Sequence, residues 1–194
     1  MTDGSVHQGV AMQIPPYKYP DATDLVLDTM ERWHSGKLST PPLFVALDGI
    51  TDPRNLGAII RSVSAFSGDG VIIPERRSAA VTAGAWKTSA GAAARIPVAM
   101  ATNLTRVIQQ AKEQGIFVIG LDGGGDIELP ALELANEPLC VVVGSEGKGL
   151  SRLVTENCDQ IVSIPIDSAM ESLNAAMAVG ITLYDVSRRR ASAN

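Results

Sequence analysis

Short apolar runs alternate with helix-like segments along most of this 194-residue chain. The runs are continuously apolar, which is typical of strands that are covered on both faces of a parallel sheet. Helices between such strands supply the crossovers that parallel pairing requires. We therefore predict an α/β fold, with a mostly parallel sheet and helices on both faces. The predicted strands cover residues 43–47, 71–74, 116–121, 139–143 and 161–166.

The helices are predicted from apolar residues at helical spacing. The last helix begins in the segment Ser172–Asn174, where Ser and Asn side chains can cap free backbone N–H groups. It is built almost wholly of small and apolar residues, which predicts burial on all sides. The other predicted helices cover residues 24–34, 58–66 and 104–114, a segment beginning at Leu150, and part of 81–94.

The N-terminal segment differs from the rest of the chain. Residues 1–22 are polar and then rich in proline, which predicts an extended linker or arm. Residues 23–194 follow as one domain of ordinary size.

Composition argues against several classes of protein. The two cysteines and two histidines predict neither a disulfide framework nor a metal site. Cys140 lies inside an apolar run and is predicted to be a buried small hydrophobe. No apolar run approaches the ~20 residues of a membrane span, and the polar N-terminus is unlike a signal peptide. These features favour a reducing, cytoplasmic setting and no metal.

Charge is unevenly distributed along the chain. The net charge is −5, yet residues 76–112 contain no Asp or Glu and six Lys or Arg residues. The triplet Arg188–Arg190 adds a basic tail. One interpretation is a weakly charged, Ala-rich surface; the other is a local positive face for an anionic polymer. Charge alone does not choose between them.

Four loops follow predicted strands, where ligands collect in parallel α/β sheets. They cover residues 48–57, 121–125, 144–149 and 167–171, and two of these segments carry recognisable polar patterns. The turn Gly144–Gly149 precedes a predicted helix, so its backbone N–H groups can face an anion or simply form a tight turn. Its glycine spacing fits neither a Walker motif nor a dinucleotide fingerprint. In the other segment Asn55 can be a helix cap, and Arg54 and Arg61 lie about two helical turns apart on one face. Arginine pairs well with phosphate.

Three ordered segments together resemble the motifs of the SpoU RNA ribose 2′-O-methyltransferases, a family of the SPOUT superfamily. They are Asp48–Arg61, Val143–Leu150 and Ile164–Asn174, and the resemblance covers roughly residues 43–187. Residues 7–10 also resemble the linker that follows an N-terminal RNA-binding domain in many members, which favours a catalytic fragment related to large-subunit ribosomal RNA guanosine methyltransferases.

The resemblance implies a C-terminal trefoil knot, although chains are generally unknotted. It also implies a homodimer whose active site is completed across the interface, and S-adenosylmethionine as the cofactor. By motif match, the cofactor contacts are Leu121, Asp122, Gly123, Gly144, Ile164, Ile166 and Leu173. The family usually has Met at position 166 and Gly at position 168, where this chain has Ile and Ser.

The implied reaction is methyl transfer to a ribose 2′-hydroxyl of RNA, which requires the hydroxyl to lose its proton. The matched catalytic positions are Asn55, Arg61, Glu146, Ser172 and Asn174. The implied RNA contacts are Arg54, Arg61, Lys87 and Lys148. Arginine is normally protonated, so electrostatic stabilisation by Arg61 is easier to defend than a role as base.

Several alternatives remain open at this stage. Ribosomal RNA is the first expected substrate and transfer RNA the second. A chain of the same fold can also be a non-catalytic RNA-binding or ribosome-assembly module. The glycine turns by themselves also fit a flavodoxin-like nucleotide or phosphate binder.

Overall fold

A seven-stranded sheet forms the centre of the molecule. The computed structural model describes residues 15–170 and 172–193. The strands are β1 (Leu43–Asp48), β2 (Gly70–Pro74), β3 (Val98–Ala101), β4 (Phe117–Leu121), β5 (Ile127–Glu128), β6 (Leu139–Gly144) and β7 (Gln160–Ser163). The helices are α1 (Ala22–His34), α2 (Pro53–Ala65), α3 (Ala83–Thr88), α4 (Leu104–Glu113), α5 (Arg152–Asn157) and α6 (Ala175–Ala193).

The strands run in the order β3-β2-β1-β6-β4-β7-β5. Every pairing between neighbours is parallel. β6 lies between β1 and β4 and is buried along its whole length, as its continuous apolar run predicts. The predicted parallel α/β fold is confirmed. Because the strands are parallel, the loops after β1, β4, β6 and β7 meet at one edge of the sheet.

Alternate residues of each strand pack against different helices. In β1, Leu43, Val45 and Leu47 join a core with α2, α3 and α6. Phe44 and Ala46 join the opposite core, with α1, α4 and α5. Helices therefore cover both faces, as predicted.

The buried thiol of Cys140 belongs to the second of these cores. The residue is 2% exposed, and burial raises the pKa of its thiol to about 12. Desolvation disfavours the thiolate, so the group behaves as a small hydrophobe. The prediction made for Cys140 is confirmed.

Several predicted element boundaries are wrong. α2 begins five residues earlier than expected because Asp52 caps it and Pro53 occupies its first turn. The predicted helix at Leu150 begins at Arg152, and the strand predicted to reach residue 166 ends at Ser163. β3 and β5 were not predicted, since runs of four and two residues carry little pattern.

The basic C-terminal triplet Arg188–Arg190 is not the free tail that its charge suggested. Arg190 is 9% exposed and donates hydrogen bonds to the backbone carbonyls of Pro41 and Glu137, among others. Arg189 donates to backbone carbonyls just after β5, and the first arginine pairs with an aspartate of α6. The contacts of Arg190 fix the end of α6 to the amino ends of β1 and β6, and those of Arg189 fix it to the segment after β5.

The apolar composition of α6 does not produce burial on all sides. Met177, Ile181 and Tyr184 are 58%, 39% and 56% exposed. Their side chains form a stripe on one face of the helix, while Val179 and Leu183 are fully buried. Within one chain the expectation of complete burial is therefore wrong.

Part of the predicted N-terminal arm lies within the described residues. The hydroxyl oxygens of Tyr17 and Tyr19 accept hydrogen bonds from the backbone N–H groups of Val98 and Val81. Residues 15–21 therefore run along the β3 edge of the sheet. The resemblance at residues 7–10 lies outside the described residues.

Candidate active site

Three loops at the carboxyl edge enclose a cavity of about 640 Å³, which we call the loop pocket. They follow β4, β6 and β7, and the residues that line the cavity include Asp122, Gly123, Gly144, Glu146, Ile164 and Leu173. The volume lies within the range of small-molecule and cofactor sites.

The loop pocket brings together every residue that motif matching assigned to the cofactor. These are Leu121, Asp122, Gly123, Gly144, Ile164, Ile166 and Leu173. Glu146 and Ser172 line the same cavity. Sequence reasoning did not single out Ser145, Asp167 or Met170, although each lies in or beside a loop that it did identify. That these residues bind a cofactor stays a prediction.

Glycines give the pocket a wall of exposed backbone. A Cβ added to Gly144 would lie 2.1 Å from backbone C and O atoms of Gly149, so the turn closes directly onto the end of β6. At Gly123 and Gly147 an added Cβ would meet nothing within 4 Å. Their backbone groups are therefore accessible, which suits a ligand that is held mainly by main-chain hydrogen bonds.

The glycine turn is held shut by two further contacts. The N–H of Gly149 donates to the carbonyl of Ser145 at 2.9 Å. The N–H of Ser151 donates to Oδ2 of Asp48 at 2.6 Å. Asp48 ends β1 and lies opposite Gly144 in the sheet register, so it ties the turn to the neighbouring strand.

A triangle of polar side chains lies at the mouth of the loop pocket. Oδ1 of Asn174 caps α6 by accepting from the N–H groups of Ala176 and Met177 at 2.9 and 3.3 Å. This cap fixes the amide orientation, so Nδ2 of Asn174 donates to Oδ1 of Asn55 at 3.1 Å and to Oε1 of Glu146 at 2.5 Å. Nδ2 of Asn55 donates to the same Oε1 at 3.1 Å. We call these residues the Asn55–Glu146–Asn174 triangle.

The contacts of Asn55 exclude its interpretation as a helix cap. Oδ1 of Asp52 accepts from the N–H of Arg54 at 2.8 Å and caps α2 instead. Asn55 therefore lies in the first turn of α2, where its amide is available to Glu146. Of the two predicted capping residues near α6, Asn174 is the cap and Ser172 lies before the helix.

Arg61 is not brought to the triangle within one chain. It is an exposed residue of α2 that does not line the loop pocket, and the described residues provide it no hydrogen bond or ion pair. The predicted RNA contacts Arg54, Lys87 and Lys148 are also exposed, and they lie on α2, α3 and the glycine turn.

A second, more open cavity of about 650 Å³ lies between α2 and α6, and we call it the helix groove. Its walls include Phe66, Met177, Ile181 and Tyr184. The rings of Phe66 and Tyr184 meet edge to face at 5.9 Å. Asn55 and Asn174 also line the groove, so the triangle stands between the two cavities.

No group of three or more His, Cys, Asp and Glu residues able to hold a metal ion exists within residues 15–170 and 172–193. In the same ranges, no helix has the length and apolar character to span a membrane.

A parallel sheet with a pocket at its carboxyl edge and a carboxylate at the mouth has the architecture of an α/β protein that binds a small molecule. The profile of the SpoU rRNA Methylase family matches residues 42–184, and the chain belongs to this family. The predicted family is therefore confirmed, and the flavodoxin-like alternative is excluded.

Curated relatives extend the similarity over nearly the whole chain. An uncharacterized tRNA/rRNA methyltransferase of Mycobacterium avium is 59% identical over 190 residues, which are 98% of this chain and 59% of that protein. A counterpart from Mycobacterium tuberculosis is 55% identical, over 98% of this chain and 56% of that protein. The chain thus spans less than two thirds of the length of these relatives.

Solved structures share the fold. The SpoU methyltransferase AviRb of Streptomyces viridochromogenes, in complex with the cofactor AdoMet, matches with a TM-score of 0.73 and 29% identity, over 80% of this chain and 60% of AviRb. An AdoMet-bound rRNA methyltransferase of Sinorhizobium meliloti matches with a TM-score of 0.74 and 25% identity, over 89% of this chain and 61% of that one. A TrmH-family protein of Porphyromonas gingivalis matches with a TM-score of 0.71 and 32% identity, over 77% of this chain and 61% of that one.

Proposed function

We propose that this chain transfers a methyl group from S-adenosylmethionine to a ribose 2′-hydroxyl of RNA. Ribosomal RNA is the first expected substrate and transfer RNA the second. The observation that carries the proposal is the position of the Asn55–Glu146–Asn174 triangle, which stands at the mouth of a pocket of cofactor size.

The loop pocket fits S-adenosylmethionine in size and in chemistry. Its accessible glycine backbone offers hydrogen-bond donors and acceptors to the polar groups of a nucleoside and an amino acid. Leu121, Ile164 and Leu173 supply apolar surface beside them. Two similar structures contain AdoMet.

The residues of the triangle are suited to binding and orienting a ribose 2′-hydroxyl. When bound, S-adenosylmethionine supplies a methyl group on a sulfonium. Both amide hydrogen bonds to Glu146 reach Oε1, and the described residues leave Oε2 without a partner. We propose that this oxygen accepts the hydrogen bond of the substrate hydroxyl and orients it toward the pocket. The Ser172 hydroxyl, which lines the same cavity, is proposed to assist.

We propose that Arg61 acts in a homodimer, on the active site of the other subunit. Its separation from the triangle within one chain supports this arrangement, as does the exposed apolar wall of the helix groove. A guanidinium stays protonated at neutral pH, so Arg61 would hold a phosphate and stabilise the developing oxyanion. Arg54, Lys87 and Lys148 are proposed as further RNA contacts.

Three other expectations belong to the proposal. The first is a trefoil knot, which is supported by the insertion of β6 between β1 and β4 and by the closed turn Ser145–Gly149. The second is that residues 1–22 connect residues 23–194, as the catalytic domain, to an RNA-binding domain. The third is action in the cytoplasm, where bacterial ribosomal and transfer RNA are found.

The test is Arg61→Ala, with Arg95→Ala, an exposed residue in the segment before β3, as a matched control. We expect Arg61→Ala to lower methyl transfer on an RNA substrate by at least about 100-fold, since a lost charged contact to the transition state costs this much. Calorimetry should show unchanged binding of S-adenosylmethionine. Unchanged turnover in Arg61→Ala would refute the role of Arg61.

The rival proposal, a non-catalytic RNA-binding module, differs in one respect. It predicts that the wild-type chain binds RNA without binding S-adenosylmethionine in the calorimeter. Such a result would replace methyl transfer with the binding function.

A further inference from the structure

The ionisable side chains that line the loop pocket all carry the same sign of charge. They are Asp122, Glu146 and Asp167, and no Lys, Arg or His lines the cavity within the described residues. The Glu146 carboxylate belongs to the triangle, and Oδ1 of Asp167 accepts from the N–H of Ala169 at 2.8 Å. Asp122 is singled out because its carboxylate also approaches a second loop of the cavity.

Asp122 is held between two of the three loops. Its Oδ1 accepts from the N–H of Gly124 at 2.9 Å within the loop after β4. A Cβ at Gly149 would lie 2.9 Å from its Oδ2, so this oxygen reaches the glycine turn after β6. The carboxylate is thus fixed beside the backbone that the two loops expose to the cavity, and Gly149 leaves room for it.

We propose that Asp122 makes the loop pocket select a cationic cofactor over its neutral counterpart. The inference rests on the proposed function and adds a determinant of specificity to it. In methyl transfer the oxygen–carbon bond forms as the carbon–sulfur bond breaks, and the electron pair of the broken bond stays on sulfur. The proton of the 2′-oxygen passes to bulk water, by way of the Glu146 carboxylate that the proposed function places beside the hydroxyl. The sulfonium becomes a neutral thioether, so the product carries one positive charge less than the cofactor.

The loss of that charge weakens attraction to the carboxylates. A fixed carboxylate within several ångströms favours a cation by about three- to tenfold in affinity at the dielectric of a partly solvated pocket. The pocket should therefore bind the neutral product more weakly than the cationic cofactor, which favours product release. The preference must also fall as ionic strength rises, because the pocket is open to solvent.

The test uses calorimetry on the whole chain with three probes. S-adenosylmethionine carries a sulfonium, sinefungin carries an ammonium in the corresponding place, and S-adenosylhomocysteine carries a neutral thioether. The variant is Asp122→Asn, whose amide oxygen can still accept from Gly124, and the control is Asp126→Asn, an exposed residue outside the cavity. All three proteins are compared at low and at moderate salt.

We expect Asp122→Asn to weaken S-adenosylmethionine and sinefungin about three- to tenfold while changing S-adenosylhomocysteine less than about twofold. Asp126→Asn should match the wild type with all probes. An equal loss for all three probes in Asp122→Asn would show a structural role and overturn the inference.

The remaining outcomes separate this inference from the proposed function. A wild-type chain that binds all three probes equally retains the cofactor site but refutes selection by charge. A wild-type chain that binds none of them refutes the cofactor site, and the inference with it.

Discussion

The loop pocket and the helix groove have similar volumes, about 640 and 650 Å³, but different construction. Carboxylates and glycine backbone contribute much of the pocket wall, and hydrogen bonds from Ser151 and Gly149 hold its glycine turn in place. Apolar side chains such as Met177 and Ile181 line the groove, and they are 58% and 39% exposed. The pocket is therefore lined by three loops of one chain, whereas the groove has the character of half an interface.

Because of this difference, we expect that cofactor binding and methyl transfer can be disrupted separately. Under the proposed function, cofactor binding requires only the contacts within one chain. Methyl transfer would also require Arg61, which one chain does not bring to the triangle. Damage to the pocket should abolish both activities, and damage to the groove should abolish only transfer.

The largest expected effect is that of Gly144→Ala. The new Cβ would lie 2.1 Å from the Gly149 backbone, which cannot yield as a flexible side chain does. We expect a loss of about 3 kcal/mol in the free energy of unfolding, because overpacking against backbone forces the turn away from β6. Urea denaturation measures this loss, and calorimetry should show that S-adenosylmethionine no longer binds.

Gly123→Ala is the matched control, since an added Cβ there meets nothing within 4 Å. It should fold with a stability close to that of the wild type, within about 0.5 kcal/mol. If Gly144→Ala were as stable as this control, the close contact between the turn and β6 would be wrong.

The next effect comes from charging the groove with Ile181→Asp. Burying an unpaired carboxylate in an apolar interface is strongly unfavourable, and the association of two chains would not offset that cost. We therefore expect a monomer in sedimentation velocity experiments. Methyl transfer should be lost while binding of S-adenosylmethionine stays within about twofold of the wild type, because distant sites act independently. Leu153→Asp is the control, as Leu153 is 52% exposed on α5, away from the groove.

Mixing two variants that are each expected to be inactive tests whether Arg61 and the triangle of one site come from different subunits. Arg61→Ala lacks the arginine, and Asn174→Asp keeps the α6 cap but loses the amide donor to Glu146. If the site is completed across a dimer, the mixture should recover about a quarter or less of the wild-type activity, since only one site of each mixed dimer is intact. No recovery from a mixture proven to contain mixed dimers would place Arg61 and the triangle in the same subunit.

Much of the fold was predictable because continuous apolar runs and parallel pairing are linked. The pocket followed, since the loops after β4, β6 and β7 must share one edge. The short strands β3 and β5 were not predictable from pattern. Neither was the start of α2, although Asp52 and Pro53 form a recognisable cap and first turn.

The triangle shows the limit of sequence reasoning at the site. Asn55, Glu146 and Asn174 were named from a resemblance, while pattern alone made each asparagine a possible cap. Only the structure shows that the cap at Asn174 turns its amide toward Glu146. The stripe on α6 is a similar case, because periodicity cannot tell a chain's own core from a surface that a partner covers.

The smallest expected effect tests the hydrogen bond that ties the glycine turn to β1. Asp48→Ala removes the acceptor of the Ser151 N–H, which lies 2.6 Å from Oδ2. We expect S-adenosylmethionine to bind about fivefold more weakly, since one hydrogen bond contributes about 1 kcal/mol. Asp48→Asn retains an oxygen acceptor and should lose less affinity, and hydrogen exchange at the Ser151 amide should rise only in the alanine variant. Equal losses in the two variants would mean that the negative charge of Asp48, rather than its hydrogen bond, holds the turn against β1.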